Sequence, residues 1–362
     1  MNHRTRGITA PLRILVAACV IVVATPSTNA AETPPKAGQQ AAATVSPEDI
    51  AAMKAVEAES WTVPTIGMEM VLIPKGTFTM GSPQDEEFRR DDETQRKVTV
   101  SKPFYMGVYE VTQRQFYALT IPDYDFEAWE HFRGPIADGG AFHFREQPPG
   151  VNHIYGKELQ SDFPMECFSW TRAVQYCKDL TAIERKAGRL PAGYEYRVPT
   201  EAEWEYACRA GTAGMFNIDV DVEKLKAEAE QSKGDLSKQT YLNTFAFAWS
   251  VNPRWSKTGK VGNGRKPNAW GLYDMHGNVA EWVLDTYAPY GQQKSTTDPV
   301  YFTDETDQEK VIRGGSIAGG FPFMRCAVRY SIPYDVDYYG FVGLRIVLAP
   351  ELDVPLPKEK EQ

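Results

Sequence analysis

Little in this chain is basic, little is cysteine, and its most apolar stretch is too short to cross a bilayer. Of 362 residues, five are cysteine and five histidine, and 39 Lys and Arg stand against 48 Asp and Glu, a formal net charge of -9. An acidic balance excludes the broad basic surfaces that bind nucleic acid and anionic membranes. The apolar run Ile14 to Ala24 falls well below the roughly 20 residues a stable membrane span needs. No internal repeat or Rossmann-type glycine signature is visible, and no βαβ alternation, so solenoid and dinucleotide-binding architectures are set aside. What is present is globular: 42% hydrophobic and 24% charged residues, with eight Trp and eighteen Tyr, suit a packed, loop-rich protein rather than a disordered one.

Residues 1–30 read as a secretory signal. Arg4, Arg6 and Arg13 form a basic start, Ile14 to Ala24 the apolar core, and Thr28-Asn29-Ala30 a small-residue cleavage site. Val16-Ala17-Ala18-Cys19 looks like a lipoprotein cleavage box, but too few apolar residues separate Arg13 from Cys19. Export to the periplasm or the cell exterior is therefore expected, and cleavage would leave a formal charge of -12 by removing those three arginines. It would also leave Cys167, Cys177, Cys208 and Cys326, an even number suited to an oxidising compartment, whose three possible pairings spacing alone does not choose between.

Residues 31–67 combine a flexible linker with a short helix, which Ser46-Pro47-Glu48-Asp49 starts. The main domain is expected over 68–350 and a flexible tail over 351–362. From Met68, β-type runs such as Met70 to Ile73 and Val98 to Val100 alternate with Gly and Pro turns. Thr112 with Gln115 and Thr200 with Glu203 make capping boxes, and Ser169 caps a stretch with Ala173, Cys177 and Leu180 on one helical face. Modest helices among short strands and long loops give an α+β pattern. Residues 120–162 read as one long aromatic loop, and Val222 to Lys238 as a charged, solvated helix or insertion.

Five segments occur in order: GTFTMGS (Gly76 to Ser82), FYMGVYEVTQRQFYAL (Phe104 to Leu119), YRVPTEAEWEYACRAGT (Tyr196 to Thr212), GLYDMHGNVAEW (Gly271 to Trp282) and VIRGGSI (Val311 to Ile317). RCAVR (Arg325 to Arg329) and GLRI (Gly343 to Ile346) complete the set. With these the chain resembles the sulfatase-modifying-factor, or formylglycine-generating, family. The resemblance implies an irregular α+β fold, often compared to C-type lectins, with little regular secondary structure. The family's oxidases convert a sulfatase cysteine to formylglycine with a copper-binding C-x4-C pair just after the GGS segment, thiolates being the ligands Cu(I) prefers. Here Ile317 to Arg325 holds no cysteine, and Ala280 stands where those oxidases carry a Trp. Copper-dithiol chemistry is therefore not expected. A divergent binding or accessory member is the first expectation, its ligand an unidentified protein or small molecule. A periplasmic oxidoreductase resembling the pyoverdine-maturation relatives is the second, and a formylglycine-generating oxidase the third.

The resemblance also implies a disulfide between Cys208 and Cys326; Cys167 and Cys177 remain either a second pair or two buried thiols. It implies a structural calcium ion held by Asp274, Glu281 and the carbonyls of Gly277 and Val279, hard oxygen ligands around a glycine turn. Near the family's cleft, Ser316, Arg313 and Arg329 are candidates for ligand contact; the arginines could equally buttress the core. Tyr334, Asp335, Asp337, Tyr338 and Tyr339 could line a recognition surface or a strand edge. His131, His143 and His153 match no metal signature, and His276 reads as a loop residue.

Overall fold

The computed structural model describes residues 60–120, 162–233, 258–290, 295–303, 309–317, 319–335 and 340–352. All lie within one compact unit, Gln39–Gln362. The expected signal, the linker up to residue 59 with its helix, the three loop histidines, the 351–362 tail beyond Leu352, and Asp337, Tyr338 and Tyr339 lie outside the described residues; Ser60–Val63, expected as linker, is instead a strand of the main sheet.

Strands β1 (Ser60–Val63), β2 (Met68–Ile73), β5 (Phe104–Gly107), β6 (Tyr194–Arg197) and β11 (Val347–Pro350) form a five-stranded sheet in the order β1-β2-β5-β11-β6. Its described pairings are antiparallel. A second sheet has the order β10-β7-β8-β9, from β7 (Ala280–Thr286), β8 (Glu309–Arg313), β9 (Tyr330–Pro333) and β10 (Val342–Gly343). The hairpin partners β3 (Gly76–Met80) and β4 (Arg96–Val100) stand apart as a two-stranded sheet. In β2 the side chains alternate at first, with Met68 and Met70 buried and Glu69 exposed, the period-2 signature of one face on a core. β7 is buried throughout, as a strand covered on both faces must be.

The helices start where their caps predict. At α1 (Gln113–Thr120), the Thr112 amide donates to Gln115 Oε1 at 3.0 Å and the Gln115 amide to Thr112 Oγ1 at 3.3 Å. Ser169 accepts from the Arg172 amide at the head of α2 (Trp170–Lys186). Thr200 and Glu203 close the full reciprocal box on α3 (Glu201–Arg209). α4 (Val222–Ser232) is the charged segment; it buries only Leu225 and Ser232.

Three large tryptophans anchor the interior, and each indole N–H has an acceptor, as burial of so large a polar-tipped ring requires. Trp170 donates to the Val283 carbonyl, Trp282 to that of Phe168, and Trp204 to Glu281 Oε2 at 2.6 Å. Two of the motif glycines are fixed by sterics. Gly315 has φ +68° and an added Cβ would sit 2.5 Å from the Phe323 carbonyl; Gly81 has φ +90° with the Glu93 carbonyl 2.6 Å away. Both positions exclude any side chain.

Candidate functional site

The GLYDMHGNVAEW segment passes through a turn whose backbone is left-handed at Asp274 (φ +59°), Gly277 (+108°) and Asn278 (+57°) before it straightens into β7. Asp and Asn are the non-glycine residues that tolerate this conformation best. The turn thereby points Asp274 and His276 in different directions, and two clusters form around it.

The first cluster is acidic. Asp274, Glu281 and Glu110 are all buried, with Arg345 beside them. Arg345 Nη2 donates to Glu281 Oε1 at 2.7 Å and its Nε to both Glu281 oxygens at 3.0 Å, while Trp204 takes Oε2. Glu110 Oε2 accepts from Asn278 Nδ2 at 2.8 Å and Oε1 from the Val279 amide. Asp274 Oδ2 accepts from the Gly262 amide, but Oδ1 is buried with no hydrogen-bond partner. Desolvation, then the neighbouring Asp274 charge, pushes the Glu110 carboxyl well above its ordinary value. Desolvation also raises Asp274, against the Gly262 amide and Arg345. Of the four expected calcium ligands, Asp274 thus has an open oxygen, whereas both Glu281 oxygens are engaged by protein donors. Gly277 donates its amide to the Gly314 carbonyl, tying the turn to the GGS segment.

The second cluster is soft. Cys208, at the end of α3, and Cys326 are fully buried, their sulfurs 3.7 Å apart. The two sulfurs are in contact, at the pair that the resemblance expects as a disulfide. His276 joins them, its Nε2 4.0 Å from Cys208 Sγ, and the three donor atoms lie within 4.8 Å of one another. Burial alone would raise the Cys326 thiol, but the Cys208 and His276 contacts outweigh it and hold Cys326 well below the usual thiol range. Cys208 moves the other way, through burial and its hydrogen bond to Cys326. Cys167 and Cys177 are both buried, and no disulfide joins them.

The candidate cleft residues turn inward. Arg313 is fully buried, its Nη2 on Glu205 and its Nη1 on the Ala327 and Val328 carbonyls. Arg329 is bidentate to Glu201 at 2.6 and 2.8 Å. Arg325 is bidentate to Glu93 and reaches Glu86 at 2.6 Å. Such fork geometry satisfies both partners in the dry interior. Arg313 and Arg329 are thus buried and paired with carboxylates, and Ser316 is buried as well. Tyr334 is buried and Asp335 exposed.

Sequence reasoning missed Glu110 and the position of His276. Glu110 carried a signal, a lone acid in the apolar run Tyr105 to Val111. His276 carried none, since its partners stand 50 and 68 positions away.

A family model, sulfatase-modifying factor enzyme 1-like domain, matches residues 57–350. The formylglycine-generating enzyme of Mus musculus is 32% identical over 278 residues, 68% of this chain and 66% of that protein, so the match spans just under two thirds of the relative. The inactive C-alpha-formylglycine-generating enzyme 2 of the same species is 25% identical, over 66% of this chain and 75% of its own length. The solved structure of PvdO from Pseudomonas aeruginosa is similar at a TM-score of 0.58 and 28% identity, covering 80% of this chain and 97% of that one. With its motifs in order, its α+β architecture and a family match over most of its length, the chain belongs to the sulfatase-modifying factor enzyme 1-like family.

Proposed function

We propose that this protein is a divergent family member that uses the fold as a binding or accessory scaffold and does not carry out copper-dithiol oxidation of a cysteine. The observation that carries this reading is the stretch Ile317 to Arg325, which follows Gly314-Gly315-Ser316 and contains no cysteine. Thiolate ligands at that place are what the oxidase reaction needs for Cu(I). The burial of Cys167, Cys177, Cys208 and Cys326 supports the same reading, because a substrate cysteine must reach the reacting sulfur. A relative named as inactive gives the reading a precedent within the family. Incubation with copper and a sulfatase-type cysteine peptide should yield no aldehyde; robust aldehyde formation overturns the proposal. The basic start and small-residue site of residues 1–30 support action after export.

A second reading, an oxidoreductase acting on a small aromatic substrate, follows from the resemblance to the pyoverdine-maturation relatives; the likeness to PvdO over nearly that protein's whole length supports a shared fold. Oxygen consumption on a phenolic substrate by iron-containing protein would select it over the scaffold reading.

Calcium belongs to the proposal as a structural ion at the turn. Its support is the buried, unpartnered Asp274 Oδ1 and the excess of carboxylate around it. Asp274 would supply the charged oxygen, with the carbonyls of Gly277 and Val279; Glu281, held by Arg345, adds charge from the side. Calcium should raise the melting temperature of the wild type and not that of Asp274→Ala with Glu281→Ala. An equal calcium response in both removes the ion from the account.

A further inference from the structure

We propose that Asn263-Gly264 is a self-modifying site. The Gly264 amide displaces ammonia from the Asn263 carboxamide, and the isoaspartyl link that follows loosens the hold of this loop on Asp274. Of nine asparagines in the chain, only Asn263 precedes a glycine. Any other residue puts a Cβ beside the attacking amide, whereas glycine leaves it open and gives the backbone a wider range of φ and ψ.

The fold sets this asparagine apart from the three others among the described residues. Asn217 precedes Ile218, whose stiff β-branched side chain shields the amide. Asn268 is buried, its Oδ1 accepting from the Trp270 and Leu272 amides and its Nδ2 donating to the Ala207 carbonyl at 2.8 Å. Asn278 is buried with Nδ2 on Glu110 at 2.8 Å, and the Val279 amide that would attack it donates to the same carboxylate. Asn263 and Gly264, by contrast, are both exposed. The Asn263 amide donates to the Lys260 carbonyl at 3.2 Å and the Arg265 amide to that of Gly262 at 3.4 Å. Those bonds shape the loop and leave the two reacting groups, the Asn263 carboxamide and the Gly264 N–H, open to water. Gly264 itself stands at φ +69° with open space where a Cβ would be.

The reaction needs only water. The Gly264 nitrogen gives its proton to solvent and bonds to Asn263 Cγ; the Cγ–Nδ2 bond breaks, and Nδ2 leaves as ammonia. Water then opens the succinimide ring. Opening at Cγ gives aspartate, and opening at the main-chain carbonyl gives isoaspartate. No electrons are gained or lost, and either product adds a negative charge to the loop. Isoaspartate also routes the main chain through the side-chain carbon, lengthening the loop by a methylene. One residue earlier the Gly262 amide donates to Asp274 Oδ2, and Gly262 lies flat against Tyr109, whose Cε1 would stand 2.3 Å from an added Cβ. With Gly262 confined on that side, the added length falls on the turn that carries its amide to Asp274.

The test ages the folded full chain in mildly alkaline buffer, which speeds loss of the amide proton, beside a sample held in mild acid. Peptide mapping by mass spectrometry, with enzymatic methylation of isoaspartyl carboxylates, locates the product, and hydrogen–deuterium exchange reads the Gly262 amide. Ammonia release should match conversion at Asn263, with isoaspartate the larger product and Asn268 and Asn278 intact. The Gly262 amide should exchange faster in the isoaspartyl fraction. Asn263→Gln, an exposed substitution, should release no ammonia at this position and keep its Gly262 protection throughout ageing. No conversion at Asn263 in the folded wild type overturns the proposal, as does equal conversion at Asn268 or Asn278. Unchanged Gly262 exchange in the isoaspartyl fraction overturns it equally, and these arms need no variant to fold.

Discussion

Arg345 faces Glu281 directly and carries the charge that offsets Glu110 and Asp274 behind it. Removing one partner of a fully buried pair leaves an uncompensated charge in a dry interior, so Arg345→Met should destabilise the fold by roughly 3–5 kcal/mol in urea unfolding. Adding Glu281→Gln should recover part of that loss; a single variant as stable as wild type would show that the pair does little. A second residue-scale device lies in β7 and β8. Lys310 Nζ donates to Thr286 Oγ1 at 2.8 Å and sits over the Phe302 ring at 3.8 Å. Burial pushes its amine down to about 7, although Asp285 opposes the fall. Burial, with Glu201, pushes the Asp285 carboxyl up to about 7. Between pH 7 and the ordinary lysine value of 10.5 the unfolded chain holds a proton that the folded chain lacks, so Lys310 makes stability rise with pH there. Between the ordinary aspartate value of 3.8 and pH 7 the folded chain holds the extra proton, so Asp285 makes stability fall as pH rises. Lys310→Met should remove the upper slope and Asp285→Asn the lower one. Parallel pH profiles for wild type and variants would refute the assignment. Neither group was legible beforehand, because an alternating Lys or Asp in a strand reads as solvent-facing until the second covering layer is known.

At the scale of elements, legibility followed how local the determining interactions are. Three helix starts could be read from Thr112, Ser169 and Thr200, because a cap is satisfied within three residues of itself. Strands such as the one holding Met70 to Ile73 could be read from β-type runs between Gly and Pro turns, whereas the strand order β1-β2-β5-β11-β6 could not, since it depends on pairings far apart in the chain. The turn at 274–279 was readable as a glycine-permitted turn. Its division between an acidic side and a sulfur side was not, because Glu110, Cys208 and Cys326 reach it through tertiary packing. Thr200→Ala should cost about 1 kcal/mol by removing the side-chain acceptor of the α3 capping box. Thermal unfolding measures this, and an unchanged midpoint would mean that the reciprocal Glu203 bond suffices.

Across the whole molecule, the ordered motifs specify packing more than chemistry. Gly81 and Gly315 admit backbone where a Cβ would clash, Arg325 and Arg329 join the segment before β9 to Glu93 and Glu201, and Trp204 ties α3 to Glu281 of β7. These contacts explain why the resemblance was strong for fold while the cleft arginines proved to be interior struts. Function is carried by residues added to such a scaffold, and the stretch between Ser316 and Cys326 lacks the pair on which the family's oxidase reaction depends. The most direct measurement is mass spectrometry of a sulfatase-type cysteine peptide after incubation with the copper-supplied protein, beside an active formylglycine-generating enzyme under the same conditions. The account predicts unmodified cysteine in the first reaction and formylglycine in the second; formylglycine in both would contradict it.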